Sequence, residues 1–425
     1  MKSERTLKYR WIIFLILLAA YYLVYYQRNL PATLDTIIVD DLGQGIATLW
    51  AAVYFYVYAA FQLPIGLMTD KIGPRKILST ALVVITIGTF MISLADTFLV
   101  LIVGKIVMSC GMACIYVPLT KIIVVWFMKK DFALLNGIVI ATGNFAGIMA
   151  AEPTRIILDM IGWRSVFIVI GVITMALAVL CILFVHNRPK DIGGREIPEI
   201  YPEEKRANES YEKVSLKSGI KTVVSGGRAF WMPAGMYFLI FGTMMLFQGR
   251  WIATYFNTVY DFAVAGTVML TVLVIGKMIS TSLASTVAKK LGSKRKTVLI
   301  ASIGYLCVWG VIWLLAGKMD TFVFWASISF LFGLFSGFAS LSFAQAKEWF
   351  PAVISGTVIA LLNTIVFLGG GILQTISIWV INEQSRTLGE FTNMWAIAFF
   401  CVLIACIFAY LIVDNKNGVV KKIKN

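Results

Sequence analysis

Five cations fall inside long apolar runs of this 425-residue chain: Arg28, Lys105, Lys121, Arg250 and Lys277. A charge at the centre of a bilayer costs roughly 2.5–3.5 kcal/mol on insertion scales, so such a residue normally faces a cavity or a partner. Guanidinium offers two parallel N–H donors to a carboxylate or a phosphate, whereas an ammonium is a point charge on a flexible stem. Arg28 lies just past the middle of the first apolar run and Arg250 near the middle of the seventh, 222 residues apart. Two guanidinium groups at similar depth are suited to clamping a small anion. The bland alternatives are an Arg28 that snorkels toward Asp35, seven residues further on, and arginines bonded to backbone carbonyls. Lys277, near the middle of the eighth run, is a weaker candidate because lysine can snorkel along its four methylenes. No carboxylate sits in the middle of any run; Asp35 and Glu152 lie toward the ends. The apolar interior therefore carries positive charge that an anionic solute could balance.

Neutral candidates follow from the helical period. Tyr21 and Tyr25 share a face with Arg28, Thr243, Thr254 and Asn257 share one with Arg250, and Trp251 is its neighbour in sequence. Trp50, Tyr54 and Tyr58 form an i, i+4, i+8 stripe, and Asn144 and Asn363 are amides inside apolar runs. Aromatic stripes also serve as packing or interface belts, and buried amides also join helix to helix. Nucleophilic and metal chemistry are poorly served. There is one histidine, His186, and the six cysteines fall in apolar stretches without C-x-x-C spacing, so no enzyme, metal site or cofactor is expected.

Such residues need membrane-spanning helices to hold them. The chain is 59% hydrophobic and 14% charged, against about 45–50% and about 25% in ordinary globular domains. Apolar runs occur near 11–38, 47–69, 77–96, 98–127, 134–152, 166–185, 231–258, 265–288, 297–316, 321–346, 354–381 and 391–413. An all-α membrane protein with twelve transmembrane helices is expected, since roughly 20 apolar residues make one span. The basic start, Lys2 to Arg10, resembles a signal peptide, but no small-residue cleavage site follows, so it reads as the flank of a permanent first span.

The net charge of +15 in a soluble protein would suggest nucleic acid, but its distribution points elsewhere. With sides alternated from run to run, 28 of the 37 Lys and Arg fall on one side and four on the other. That asymmetry puts both termini and the long polar interval in the cytoplasm of a multi-pass protein of the cell membrane. The interval also sets the expected domains: a six-helix bundle over 1–186, a cytoplasmic linker over 187–229, and a second six-helix bundle over 230–425. Repetition agrees. The segment from Gly137 to Asn144 matches that from Gly356 to Asn363 at an offset of 219, the offset that also separates Gly73 from Gly292.

The loop after the second run reads Gly66-Leu67-Met68-Thr69-Asp70-Lys71-Ile72-Gly73-Pro74-Arg75-Lys76. It resembles the signature G-x-x-x-D-x-x-G-x-R-K of the major facilitator superfamily. The second-half copy keeps Gly292, Lys294 and Arg295 but has Lys289 where Asp70 stands. Lys105, Ser109 and Gly111 are similar to that superfamily's R-x-x-x-G-x-G pattern. The stretch from Tyr21 to Leu30, followed by Asp41-Leu42-Gly43, resembles the first span of its anion:cation symporters, whose pattern is roughly Y-x-D-R-x-x-L and then D-L-G. The stem from Ala20 to Val24 is similar to that of its organophosphate antiporters. The resemblance implies two pseudo-symmetric bundles working by alternating access, with Gly66, Asp70, Gly73, Arg75 and Lys76 as a conformational motif. It also implies that Arg28 and Arg250 grip the anionic head of a substrate. Gln27 departs from the pattern where the symporters carry an aspartate, as does Met112 where a glutamate would follow Lys105. Exchange or facilitated diffusion thereby gains on proton symport. The expected function is secondary transport of a small organic anion, such as a sugar acid, carboxylate or organophosphate, with a coupling ion or counter-anion, by a monomer in the bilayer without nucleic acid. Efflux of cationic or drug-like compounds and a transport-inactive sensor of the same fold are the alternatives.

Overall fold

The computed structural model describes residues 2–42, 47–201, 216–260, 265–351, 354–382 and 385–414. Lipid offers no hydrogen bonds, so a spanning backbone must satisfy itself, and the described residues are accordingly almost all helical. Ten helical segments are long and apolar enough to cross a bilayer; Leu134–Met149 is a shorter apolar helix, and Ala47–Ile72 adds a further 26-residue helix.

Chain order gives the first span as α1 (Lys2–Asn29) and α2 (Pro31–Leu42), the second as α3 (Ala47–Ile72) and the third as α4 (Pro74–Ser93). The fourth is α5 (Phe98–Ala113) with α6 (Tyr116–Trp126), the fifth α7 (Phe132–Met149) and the sixth α8 (Glu152–Phe184). Two short helices, α9 (Ile197–Ile200) and α10 (Leu216–Val224), precede the second half. The seventh span is α11 (Arg228–Leu246), a π-turn at Phe247–Trp251 and α12 (Ile252–Tyr260); the eighth is α13 (Ala265–Lys290) and the ninth α14 (Lys294–Leu314). The tenth is α15 (Phe322–Gly337), a 3-10 turn at Phe338–Ser340 and α16 (Leu341–Lys347), followed by α17 (Ser355–Val380) and α18 (Leu388–Leu411).

Spans one, four, seven and ten are each interrupted, with a local cause or marker. Pro31 has no N–H to continue the ladder of α1 but is well placed in the first turn of α2. The fourth breaks at Cys114 and Ile115, the seventh widens into the π-turn, and the tenth tightens into the 3-10 turn. Hydropathy starts the sixth span at 166, whereas its helix begins at Glu152 and is interrupted at Gly162, whose φ is 76°. Charged residues such as Arg155 and Asp159 lower the hydropathy of that first stretch without opposing a helix.

Packing divides the chain into two compact units. One comprises Met1–Asn29, Ala60–Ala150 and Thr154–Tyr211. Within it, α1 packs on α7, and α4 lies close against α5. The other comprises Leu30–Ala59, Ala151–Pro153 and Glu212–Asn425. There α11 packs on α17 and α13 on α15, where a Cβ on Gly333 would run into the carbonyl of Leu273. Small residues of this kind let helix backbones approach where no hydrophobic effect drives them together. The core of this unit is aromatic: Phe247, Tyr305, Trp309, Phe332 and Trp395 meet at ring separations from 4.9 to 6.3 Å. After the sixth span, Lys190 reaches Glu196 at 3.5 Å and Glu199 at 3.0 Å, and its hydrogen bond holds the Glu199 carboxyl below its usual range.

Candidate functional site

Arg28 stands one residue before the end of α1, so the break at Leu30 and Pro31 follows it directly. Its guanidinium carbon lies 5.2 Å from the Tyr25 ring centroid, and Tyr25 lies 4.6 Å from Tyr21. Gly143 of α7 is the surface on which both tyrosines rest; a Cβ there would come within 2.9 Å of Tyr21 and 3.1 Å of Tyr25. Tyr21 continues to Tyr116 at 5.7 Å, whose hydroxyl donates to Asn136 Oδ1 at 3.2 Å. Asn144, next to Gly143, is half-buried. Tyr21, Tyr25 and Arg28 thus form one surface beside the Gly143–Asn144 pair of α7. Gln27 is buried, and its side-chain oxygen accepts from Thr89 Oγ1 at 3.1 Å. Lys105 is fully buried on α5 of the same unit.

Arg250 lies inside the π-turn and is 0% exposed, with its guanidinium carbon 4.3 Å from the Trp251 ring centroid. A planar cation over an aromatic face is attracted by the ring quadrupole. Trp251 is fixed in turn: its Nε1–H donates to Ser377 Oγ at 2.8 Å, and Ser377 donates to the Gln374 carbonyl at 2.6 Å. Gln374 Nε2 donates to the Met245 carbonyl at 2.8 Å, immediately before the π-turn. A side chain entering the ladder is one physical cause of such a defect, and π-turns cluster at functional sites. Gly249 makes room, since a Cβ there would lie 2.9 Å from Gln374 Nε2. Helix α2 packs over this turn.

The remaining candidates are distributed more widely. Tyr54 packs on Tyr58 at 5.4 Å and Phe367 at 6.3 Å, and Tyr58 stacks on Phe367 at 4.1 Å. Asn363 is half-buried on α17 and Lys277 half-buried on α13. Thr243, expected to share a face with Arg250, is separated from it by the start of the π-turn. Thr243 Oγ1 lies 2.9 Å from the Leu239 carbonyl and 3.4 Å from the Tyr305 hydroxyl. Gln248, Gln374 and Ser377 escaped the sequence reading. The signal was there as polar side chains inside apolar runs, but it does not say which of them meet.

The loop motif is held by the end of its own unit. Gly73 has φ 93°, where a side chain would be strained, and lies against Asn187. The Arg75 backbone N–H donates to Asn187 Oδ1 at 2.9 Å, and its guanidinium to the Ile182 carbonyl at 2.7 Å. Gly66 is within α3 and Lys76 is exposed; the Asp70 side chain lies outside the described residues. The second half repeats the arrangement with a carboxylate. Asp414 accepts from the Arg295 N–H at 3.0 Å and is bonded to Ser293, the N-cap of α14. Each loop is thereby anchored three residues past the last helix of its half.

The family model described as Major Facilitator Superfamily matches residues 11–373. The chain is 24% identical over 202 residues to a probable sulfoacetate transporter of Cupriavidus necator, covering 46% of this chain and 47% of that protein. It is 20% identical over 338 residues to a probable hexose phosphate transport protein of Chlamydia muridarum, covering 75% and 73%. To the hexuronate transporter of Bacillus subtilis it is 25% identical over 232 residues, covering 54% of each. The chain spans about half the length of several of these curated relatives. Among solved structures, a D-xylose-proton symporter aligns with TM-score 0.71 at 13% identity, over 97% of this chain and 100% of that one. An inward-facing bacterial homologue of the human lysosomal transporter Spinster aligns at 0.70 and 17%, over 95% and 96%. At these identities the likeness is one of fold.

Proposed function

The chain belongs to the major facilitator superfamily and is a multi-pass membrane transporter with its twelve-helix fold, and from that premise we propose that it carries a small organic anion by alternating access. The observation that carries this reading is Arg250. A guanidinium wholly withdrawn from solvent lies at a helix defect in mid-span and rests on the Trp251 ring, a depth at which a cation is costly to place. Arg28, beside the break in the first span, is its counterpart from the first half. Relatives named for sulfoacetate, hexuronate and hexose phosphate support an anionic solute.

In this proposal the bundles over 1–186 and 230–425 rock about the linker 187–229, with both termini in the cytoplasm and the protein monomeric in the cell membrane. Substrate-lining roles go to Tyr21, Tyr25, Tyr54, Asn144, Trp251, Lys277 and Asn363 around the two arginines. Gln27 is neutral where it stands, so it takes up no proton, and the proposed mode is exchange or facilitated diffusion. Counterflow in proteoliposomes with C6 sugar acids, simple carboxylates and sugar phosphates tests the reading. Arg28→Lys and Arg250→Lys each lose the paired donor geometry and are expected to cut anion uptake about 10–100-fold, the scale of a charge-assisted hydrogen bond. Unimpaired transport in both variants would show that the arginines are not the clamp.

A further inference from the structure

Two glutamines flank the turn that holds Arg250, and neither has a role so far. Gln248 belongs to the π-turn itself and is 6% exposed; Gln374, from α17, is 0% exposed and touches the turn at Gly249. The orientation of the Gln374 amide is fixed chemically. Its nitrogen must be the atom facing the Met245 carbonyl, which leaves Oε1 pointing away as an acceptor. Among the described residues, neither Gln374 Oε1 nor Gln248 Oε1 receives a hydrogen bond, and both atoms are buried. A buried acceptor left unserved keeps the cost of its lost hydration. Two of them beside one buried cation are a marked departure from the usual satisfaction of buried polar groups.

Resting on the anion clamp read above, we propose that Gln248 and Gln374 are the specificity-determining residues that select a hydroxylated organic anion. A plain carboxylate or a sulfonate at neutral pH presents acceptors only, which suit Arg250 and leave both amide oxygens unserved. An ammonium would bring donors but also a positive charge next to a buried guanidinium. Neutral O–H groups supply donors without that repulsion. The ligand chemistry that fits the turn is therefore a carboxylate for the arginine with hydroxyls along the adjoining carbons, as in a sugar acid. Access requires α2, which packs over the turn, to lift.

The test is a matched pair of C6 anions. Gluconate, galactonate and glucuronate are each compared with hexanoate, which keeps the carboxylate and chain length but has no hydroxyl, on the purified full chain. Ligand-dependent thermal shift and competition in counterflow are read for each. At least one sugar acid is expected to half-saturate at a concentration 30-fold or more below that of hexanoate. Gln248→Met, of similar length without the amide, is expected to weaken that sugar acid at least 10-fold more than it weakens hexanoate, and Gln248→Asn to recover part of the difference. Equal wild-type affinity for hydroxylated and plain anions overturns the inference and leaves the clamp standing. So does a Gln248→Met variant that weakens both classes equally. Binding of both classes undiminished in Arg250→Gln, or binding of neither by the wild type, overturns the clamp as well. The wild-type comparison needs no variant and holds even if Gln248→Met fails to fold.

Discussion

At the scale of single residues, the chemistry is concentrated in a few polar groups that the bilayer makes expensive. Arg250 is tolerated because its face lies on Trp251, and Trp251 is pinned by Ser377. Arg28 is arranged differently, half-buried against Tyr25 at the end of its helix. The two arginines thus present one sheltered and one reachable cation. Beside Arg28, Gln27 takes the position of the symporters' aspartate and bonds to the Thr89 hydroxyl. An amide cannot titrate, so transport by the wild type is expected to be insensitive to an imposed pH gradient. Gln27→Asp places a titratable carboxyl at a buried position next to the cation. This variant is expected to make uptake depend on the pH gradient, read as proton flux with an entrapped pH dye; no change in proton flux would remove Gln27 from the coupling argument.

At the scale of elements, the interruptions in spans one, four, seven and ten are the informative ones. Embedded cations lie on three of them: Arg28 before the break of the first, Lys105 on the helix that ends at the break of the fourth, and Arg250 within the π-turn of the seventh. Discontinuous helices expose backbone groups that regular helices consume, which is why they gather at transporter sites. Gln374 enters the ladder beside the π-turn at the Met245 carbonyl, and the absence of a side chain at 249 leaves it room. Gly249→Ala puts a methyl within 2.9 Å of Gln374 Nε2. The expected result is loss of that hydrogen bond, a destabilisation of about 1–3 kcal/mol and a lowered melting temperature in detergent. An unshifted melting temperature with intact transport would mean the turn is not held by Gln374. The two loop anchors belong to this scale too. Asn187 and Asp414 each present a side-chain oxygen to the backbone N–H of a loop arginine, one neutral and one charged.

At the scale of the whole molecule, the first two spans do not stay wholly with their own half. Leu30–Ala59 packs with Glu212–Asn425, through contacts such as the Tyr56 hydroxyl with Thr375 Oγ1 at 2.8 Å and Tyr58 stacked on Phe367. On the alternating-access proposal, such contacts separate and re-form. In a background lacking the six native cysteines, Tyr56→Cys with Thr375→Cys joined by a short bifunctional thiol reagent is expected to stop counterflow, and a cleavable reagent to restore it on reduction. Continued transport in the joined protein would place the moving gate elsewhere. Much of this architecture was legible in the chain. Hydropathy runs, the 219-residue offset and the Gly66–Lys76 loop are local or periodic signals, and they announce twelve spans, two related halves and a family without any knowledge of contacts. The cost of burying charge likewise marks five embedded cations, Arg28, Lys105, Lys121, Arg250 and Lys277, from the sequence alone. What hydropathy cannot carry is which polar side chains converge. Gln374 reaches Met245 across 129 residues, the seventh span carries a π-turn at Phe247–Trp251, and the Gln248 side-chain oxygen is buried there. These features follow from side chains of distant segments entering one another's backbone, an interaction that exists only when the helices are packed.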